Sequence, residues 1–155
     1  MNFRIRGLDP QPFRHLYGMS DSELAGQGAM RYVANEKPGF PDRVSLRDLE
    51  IGAPVLLVNH VHLDVTGPYR ASHAIFIAEG ADAALELHNQ VPEALRIRTL
   101  SIRAFDAAGM MVDADLVEGM RAESLVERLF ANPQAAYLHA HYARRGCFAC
   151  RIDRG

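Results

Sequence analysis

Five short apolar runs, each bounded by turn residues, constrain the fold of this chain more than any other feature. They cover 54–64, 72–78, 97–105, 135–142 and 147–152. Their lengths and their alternation of apolar with polar residues are typical of β-strands. One amphipathic helical stripe stands among them, over roughly 120–131, and Asn132-Pro133 ends it. Runs of strands with a few segregated helices predict an α+β fold with a largely antiparallel sheet. The pattern leaves open whether that sheet closes into a barrel.

The remaining segments predict shorter elements. Ser20 and Glu23 have the spacing of a capping box, so a helix of two turns is expected to follow them. Further predicted elements are a strand over 2–6, a brief helix over 13–17, a strand over 29–34 and a hairpin strand over 110–116.

Size and charge limit the classes of function. A chain of 155 residues fits a single domain over 1–155 with a proper hydrophobic core. The net charge of −2 gives no global positive field for nucleic acid, so we expect no nucleic-acid partner. No window is apolar enough to span a bilayer, and the N-terminal stretch lacks the apolar run of a secretory signal. We therefore expect a cytoplasmic protein without a membrane partner, and the oligomeric state stays open.

Two strands each carry a His-x-His pair. Because alternate side chains of a strand share a face, His60 and His62 point the same way, and so do His139 and His141. If the two faces meet, up to four imidazoles converge, with Asp64 beside them. Imidazole is the commonest metal ligand and titrates near neutrality, so such a cluster suits metal binding or proton transfer. The alternative is that these histidines merely occupy the solvent side of their strands. A cupin-type metal site is excluded, because Thr66 and Gly67 stand where its glutamate would be.

The Cys-x-x-Cys sequence at 147–150 looks like a redox pair or a zinc knuckle. It lies in a strand-like run, however, where residues three apart are separated by roughly 10 Å and face opposite ways. A disulfide needs about 4.4–6.8 Å between α-carbons. We therefore expect no pair: Cys150 shares a face with Phe148 and acts as a small core residue. Cys147, next to Gly146 and near two arginines, is the candidate for a reactive thiol, with a purely structural thiol as the alternative.

Arginines mark a candidate anion site. Tyr69, Arg70 and His73 lie in or beside the turn that precedes a strand, where binding residues often occur. The planar fork of a guanidinium suits a carboxylate or a phosphate. Arg103 lies within a strand and needs a partner, for which Asp64, Asp106 or a ligand is available. Arg43, after PGFPD, is a third candidate. No G-x-S-x-G, P-loop, G-x-G-x-x-G or H-E-x-x-H motif is present.

The segments PGFPDRVSL, GAPVLL, GPYRASHAIF, SIRAFD and YLHAHYARRGCFACR, taken in order, resemble a bacterial family, domain-of-unknown-function family 1203. The resemblance covers nearly the whole chain. The sequence departs from the family pattern at Asp42 and His60. It implies no activity and no cofactor, but it supports a set of site residues. The matching positions are Arg43, His62, Tyr69, Arg70, His73, Arg103, Asp106, His139, His141, Gly146 and Cys147.

Three hypotheses follow. The first is a small-molecule-binding domain or small enzyme, with His62, His73, His139 and His141 as catalytic candidates. Its ligand-binding residues, for an anionic small molecule, are Arg43, Tyr69, Arg70, Arg103 and Cys147. No metal ligand and no cofactor is assigned in it, and whether the chain is an enzyme stays undecided. The second hypothesis is a metal site built from the same imidazoles. The third is a non-catalytic module that docks a partner protein.

Overall fold

The computed structural model describes residues 1–155, which form two antiparallel sheets and three short α-helices. The strands are β1 (Phe3–Arg6), β2 (Met30–Val33), β3 (Pro54–Leu63), β4 (Ala71–Ala78), β5 (Glu86–His88), β6 (Thr99–Phe105), β7 (Met111–Glu118), β8 (Tyr137–Tyr142) and β9 (Phe148–Arg154). The helices are α1 (Asp21–Gly26), α2 (Glu93–Arg96) and α3 (Ala122–Phe130), with 3₁₀ turns at Gln11–Leu16 and Gly119–Arg121. None of the helices combines the length and the apolar character needed to cross a bilayer.

The larger sheet has six strands in the order β5-β1-β9-β8-β6-β7. One of its faces carries the main core, which includes Leu138 and Ala140 of β8 and receives the apolar stripe of α3. That stripe consists of Ala122, Leu125, Val126, Leu129 and Phe130, all buried. The other face of β8 is buried as well, since every residue from Leu138 to Tyr142 is inaccessible to solvent.

The smaller sheet, in the order β2-β3-β4, has its own core. Leu56 and Val58 of β3 and Ile75 and Ile77 of β4 pack there against the N-terminal turn and α1. Phe148 of β9 belongs to this second core although its strand belongs to the larger sheet. The second core therefore joins the two sheets at the start of β9.

The predicted α+β fold with largely antiparallel sheets is confirmed, and neither sheet closes into a barrel. Both hydrogen bonds of the capping box at Ser20 and Glu23 are present. The pattern missed β5 and α2, because three residues of an edge strand and a single helical turn are too short to show periodicity. Helix α3 begins later than expected, since Gly119–Arg121 form a 3₁₀ turn before it.

A β-bulge in β9 changes the predicted arrangement of the cysteines. Ala140 faces Cys150 across the ladder while His141 faces Phe148, so one extra residue, Ala149, lies in β9. The prediction that Cys150 shares a face with Phe148 is therefore wrong: Cys150 lies in the main core and Phe148 in the second. Both thiols are free, as expected, and the burial of Cys150 raises its pKa to about 12.

Candidate functional site

Histidines from three strands meet between the two sheets. His62 of β3, His73 of β4, and His139 and His141 of β8 form what we call the histidine cluster. His139 and His141 are 2% and 0% exposed, so these imidazoles do not lie on a solvent face. On β3 the histidine side is also the inner side, shared with the buried Leu56 and Val58.

Backbone irregularities aim these side chains. Val61 pairs with Ser72 and Leu63 pairs with Ala71, which leaves His62 as the extra residue of a bulge in β3. Bulges bend a strand and redirect side chains, and they are frequent beside functional sites. The bulge at Ala149 likewise brings Phe148 to the side of β9 that faces the cluster, where its ring centroid lies 4.9 Å from that of His62.

The four imidazoles are close enough to act together. The ring centroid of His62 lies 5.5 Å from that of His139 and 5.0 Å from that of His141. One ring nitrogen each of His62, His139 and His141 lies within 4.8 Å of the other two. His73 lies beside this triad, with its ring 5.2 Å from that of His141.

Hydrogen bonds occupy some of the ring nitrogens and leave others without a partner. Nδ1 of His141 lies 3.0 Å from the carbonyl oxygen of Gly146. Because a carbonyl only accepts, that nitrogen carries the hydrogen, and Nε2 of the neutral ring holds a lone pair. Nδ1 of His73 lies 2.8 Å from Nε2 of His62. Three buried nitrogens are left without any partner: Nδ1 of His62, Nδ1 of His139 and Nε2 of His141.

Burial keeps the cluster neutral. Desolvation, with smaller contributions from His73, His60 and Arg103, lowers the pKa of His62 to about 4. Desolvation and the neighbouring histidines lower the pKa of His139 to about 3. For His141 desolvation again dominates and the pKa is about 3, although the bond to Gly146 opposes the shift. At neutral pH these three rings are therefore uncharged and present lone pairs.

Aromatic rings wall the cluster. Phe148 is almost parallel to His62, at an interplanar angle of 5°, and its ring centroid lies 5.0 Å from that of His139. The ring centroid of Phe105 in β6 lies 5.3 Å from that of His139. Tyr69 is partly exposed, and its ring centroid lies 6.2 Å from that of Phe105. Sequence alternation did not point to Phe148, because the direction of its side chain depends on the bulge.

Arg103 is a charged residue beside the histidine cluster. It faces His139 across the β6–β8 ladder, so their side chains share a face of the sheet. Its Nε lies 3.4 Å from the hydroxyl oxygen of Ser101, and no carboxylate pairs with it. Neither of the carboxylates considered above is the partner of Arg103. Asp64 pairs with Arg70 at the surface, and Asp106 accepts hydrogen bonds from the backbone N–H groups of Ala108 and Met110. Desolvation lowers the pKa of Arg103, as expected for a half-buried guanidinium without a counter-ion.

Arg43 and Cys147 lie in a different environment. The Arg43 side chain is 1% exposed, and its Nε donates to the carbonyl oxygen of Phe148 at 2.8 Å. Its Nη1 donates to the carbonyl oxygen of Pro41, and Nη2 lies 3.1 Å from Sγ of Cys147. Both residues line a cavity that contains none of the histidines. The predicted site residues thus divide into the histidine cluster with Arg103, a surface pair at Arg70, and this cavity.

Asp42 is a buried residue that the sequence did not single out. Its carboxylate is fully buried and accepts hydrogen bonds from the backbone N–H groups of Val44, Ser45 and Ala78. These bonds tie the loop that carries Arg43 to the end of β4. Its contribution is structural.

Comparison with protein-family models gives a match over residues 39–154, to the family described as "Protein of unknown function (DUF1203)". The matched region contains the whole histidine cluster, Arg103 and Cys147. Neither the curated proteins nor the solved structures give a match to this chain.

Proposed function

We propose that this chain, which belongs to the DUF1203 family, binds a divalent transition-metal ion through His62, His139 and His141. Arg103 then holds an anionic small molecule beside the metal. The observation that carries the proposal is that one ring nitrogen each of His62, His139 and His141 lies within 4.8 Å of the other two, and that each of these rings has a buried nitrogen without a hydrogen-bond partner.

Buried lone pairs support a metal ligand set. A polar atom buried without a partner costs about 1–3 kcal/mol, and three such atoms in one place are rare in a protein core. A metal ion satisfies all three at once. Neutral imidazoles suit Zn²⁺, Fe²⁺, Co²⁺ and Ni²⁺. The bond from zinc to an imidazole nitrogen is about 2.0–2.1 Å long. One ring nitrogen of each histidine lies within 4.8 Å of the other two, close enough for a shared ion.

The surroundings of the triad suit metal ligation. The carbonyl oxygen of Gly146 orients His141, and His73 orients His62, as hydrogen-bond partners of metal-bound histidines generally do. The depressed pKa values of about 3 to 4 weigh against general acid–base catalysis, which works best with a pKa near the working pH. They favour metal binding, because protons compete only weakly for the ring nitrogens.

Arg103 supports an anionic ligand. Three protein ligands leave at least one coordination position of a tetrahedral ion open. A guanidinium without a carboxylate partner beside that position adds a second positive group for a carboxylate or a phosphate. A metal with an open position and an adjacent arginine is suited to binding and polarising a small anion.

Metal analysis tests the ligand set. Metal-free protein is titrated with Zn²⁺ by calorimetry and with Co²⁺ by visible absorption, and we expect one ion per chain. In the variant His141→Asn the side-chain amide can still donate to Gly146, but the ring nitrogen of the triad is lost. We expect it to bind zinc about 100-fold more weakly or worse, since it removes a ligand.

The exposed His15→Asn variant is the matched control and should bind like the wild type. Circular dichroism and thermal unfolding of the metal-free variants show whether each chain folds. If folded wild-type protein takes up no metal, or if the control loses as much affinity as His141→Asn, the ligand set is refuted.

A second titration tests the anion. Inorganic phosphate is added to the cobalt-loaded protein, and the visible spectrum is expected to change as phosphate enters the open position. The variant Arg103→Gln should keep cobalt but weaken phosphate by about tenfold, the equivalent of one charge-assisted hydrogen bond. Equal phosphate affinity in both proteins would remove Arg103 from the proposal and leave the metal site standing.

A further inference from the structure

A cavity of about 490 Å³ lies apart from the histidine cluster. It lies among the loop after β2, the start of β6 and the turn between β8 and β9. Its polar lining includes Arg43, Arg98, Tyr142, Arg144, Arg145 and Cys147. We call it the cysteine cavity.

Tyr142, one of the residues that line the cysteine cavity, has an unsatisfied hydrogen-bond donor. The residue is 5% exposed, and its hydroxyl is buried without a hydrogen-bond partner. The guanidinium carbons of Arg43 and Arg98 lie 5.0 and 5.1 Å from the centroid of its ring. Burial raises the pKa of Tyr142, so the hydroxyl keeps its hydrogen and is able to donate it. A ligand oxygen would supply the missing acceptor.

Positive charge exceeds negative charge around the cysteine cavity. Four arginines line it against two glutamates, Glu36 and Glu118. Arg98 is neutralised by a bidentate ion pair with Asp48. Arg144 and Arg145 are exposed, and neither forms an ion pair or a side-chain hydrogen bond with another residue of the chain. They are therefore free to bind an anion at the entrance.

Cys147 offers a nucleophile in the same cavity. Its thiol is free and half-buried, with Nη2 of Arg43 at 3.1 Å from Sγ. Arg43 is itself held by two backbone carbonyls, which fix its charge against the sulfur. The guanidinium thus holds the sulfur, the atom with which a cysteine attacks an electrophile, at the wall of the cavity.

We propose that the cysteine cavity is a second binding site, which takes a small carboxylate-bearing electrophile and presents it to Cys147. The carboxylate is bound by Arg144, Arg145 and the hydroxyl of Tyr142. The sulfur attacks the electrophilic carbon, a carbon–sulfur bond forms, and the leaving group departs with the electron pair of its bond to carbon. The thiol proton passes to solvent. The site does not depend on the metal proposed above.

Two alkylating probes of similar size test this proposal. Iodoacetate carries a carboxylate and iodoacetamide is neutral, so the ratio of their rates with the same thiol measures how strongly the site attracts anions. Rates are followed by intact mass, and peptide mapping assigns the modified cysteine. Relative to glutathione as a free thiol, we expect the ratio at Cys147 to be raised about tenfold or more.

Three variants complete the test. The double variant Arg144→Gln/Arg145→Gln changes only exposed side chains, and we expect it to remove most of the preference for iodoacetate. Tyr142→Phe removes the buried hydroxyl and should lower the ratio further. Arg47→Gln, at an exposed arginine outside the cavity, should leave the ratio unchanged. The proposal fails if the wild-type ratio equals that of glutathione, if the arginine variants do not change it, or if Cys147 reacts with neither probe.

Discussion

Acidification is expected to destabilise the metal-free protein through His139 and His141. Each has a pKa of about 3 in the fold against an ordinary value of 6.5. Between those values the unfolded chain binds more protons than the folded one, so stability rises with pH. The full contribution is present above pH 6.5, and it is lost as the pH falls from 6.5 towards 3.

The size of the effect follows from the linkage relation. At pH 5.0, 1.5 pH units below the unfolded pKa, each ring costs about 2 kcal/mol relative to neutral pH. The two rings together lower the free energy of unfolding by about 4 kcal/mol, and His62, whose pKa is about 4 and whose ring is less deeply buried, adds a smaller loss. This loss is a large share of the 5–15 kcal/mol by which a domain of this size is typically stable.

Urea unfolding at pH 7.5 and pH 5.0, in the presence of a chelator and followed by far-ultraviolet circular dichroism, measures the difference. His141→Asn removes one titrating ring and is expected to reduce the pH-dependent loss by about 2 kcal/mol. His15→Asn serves as the surface control and should keep the wild-type difference. An equal loss in the wild type and in His141→Asn, or no loss in either, would refute the assignment of buried neutral imidazoles.

Three further predictions concern the supports of the site. His73→Leu removes the hydrogen-bond partner of His62 and should weaken zinc binding, measured by calorimetry, about 10–100-fold. The amide oxygen of His73→Asn can replace Nδ1, so this variant should retain most of the zinc affinity. Asp42→Ala leaves three backbone N–H groups without their carboxylate and should lower the free energy of urea unfolding by about 3 kcal/mol or more. A loss no greater than that of the variant Asp9→Ala, at an exposed aspartate, would contradict this. Phe148→Ala should lower the free energy of unfolding by about 3–5 kcal/mol. Because it admits water, it should also raise the pKa of His62, as measured by an NMR titration. Phe148→Leu should raise that pKa only weakly.

The sequence predicted most of the secondary structure because alternation and helical stripes are local signals. The strands that carry His62, His73, His139 and His141 all lie where the pattern placed them. The elements it missed, β5 and α2, are the shortest strand and the shortest helix. The strands form two open sheets instead of a barrel because of which strands pair with each other. The alternation of apolar and polar residues carries no information about that pairing.

Local spacing also assigned the cysteines correctly as unpaired, because strand geometry separates residues three apart. It misplaced Phe148 relative to Cys150, because one extra residue in a ladder reverses the side-chain order and leaves no trace in composition. The same limit applies to His62, which lies at a second bulge.

What the sequence by itself determined is the α+β class, the family and the shared face of His139 and His141, since these depend on neighbours along the chain. Only the tertiary structure decided that β3 and β8, which belong to different sheets, face each other and bring the imidazoles of His62, His139 and His141 together. It also decided that Arg43 and Cys147 line a separate cavity. The physical reason is that packing between sheets and the desolvation it causes depend on contacts between residues far apart in the chain, which periodicity does not encode.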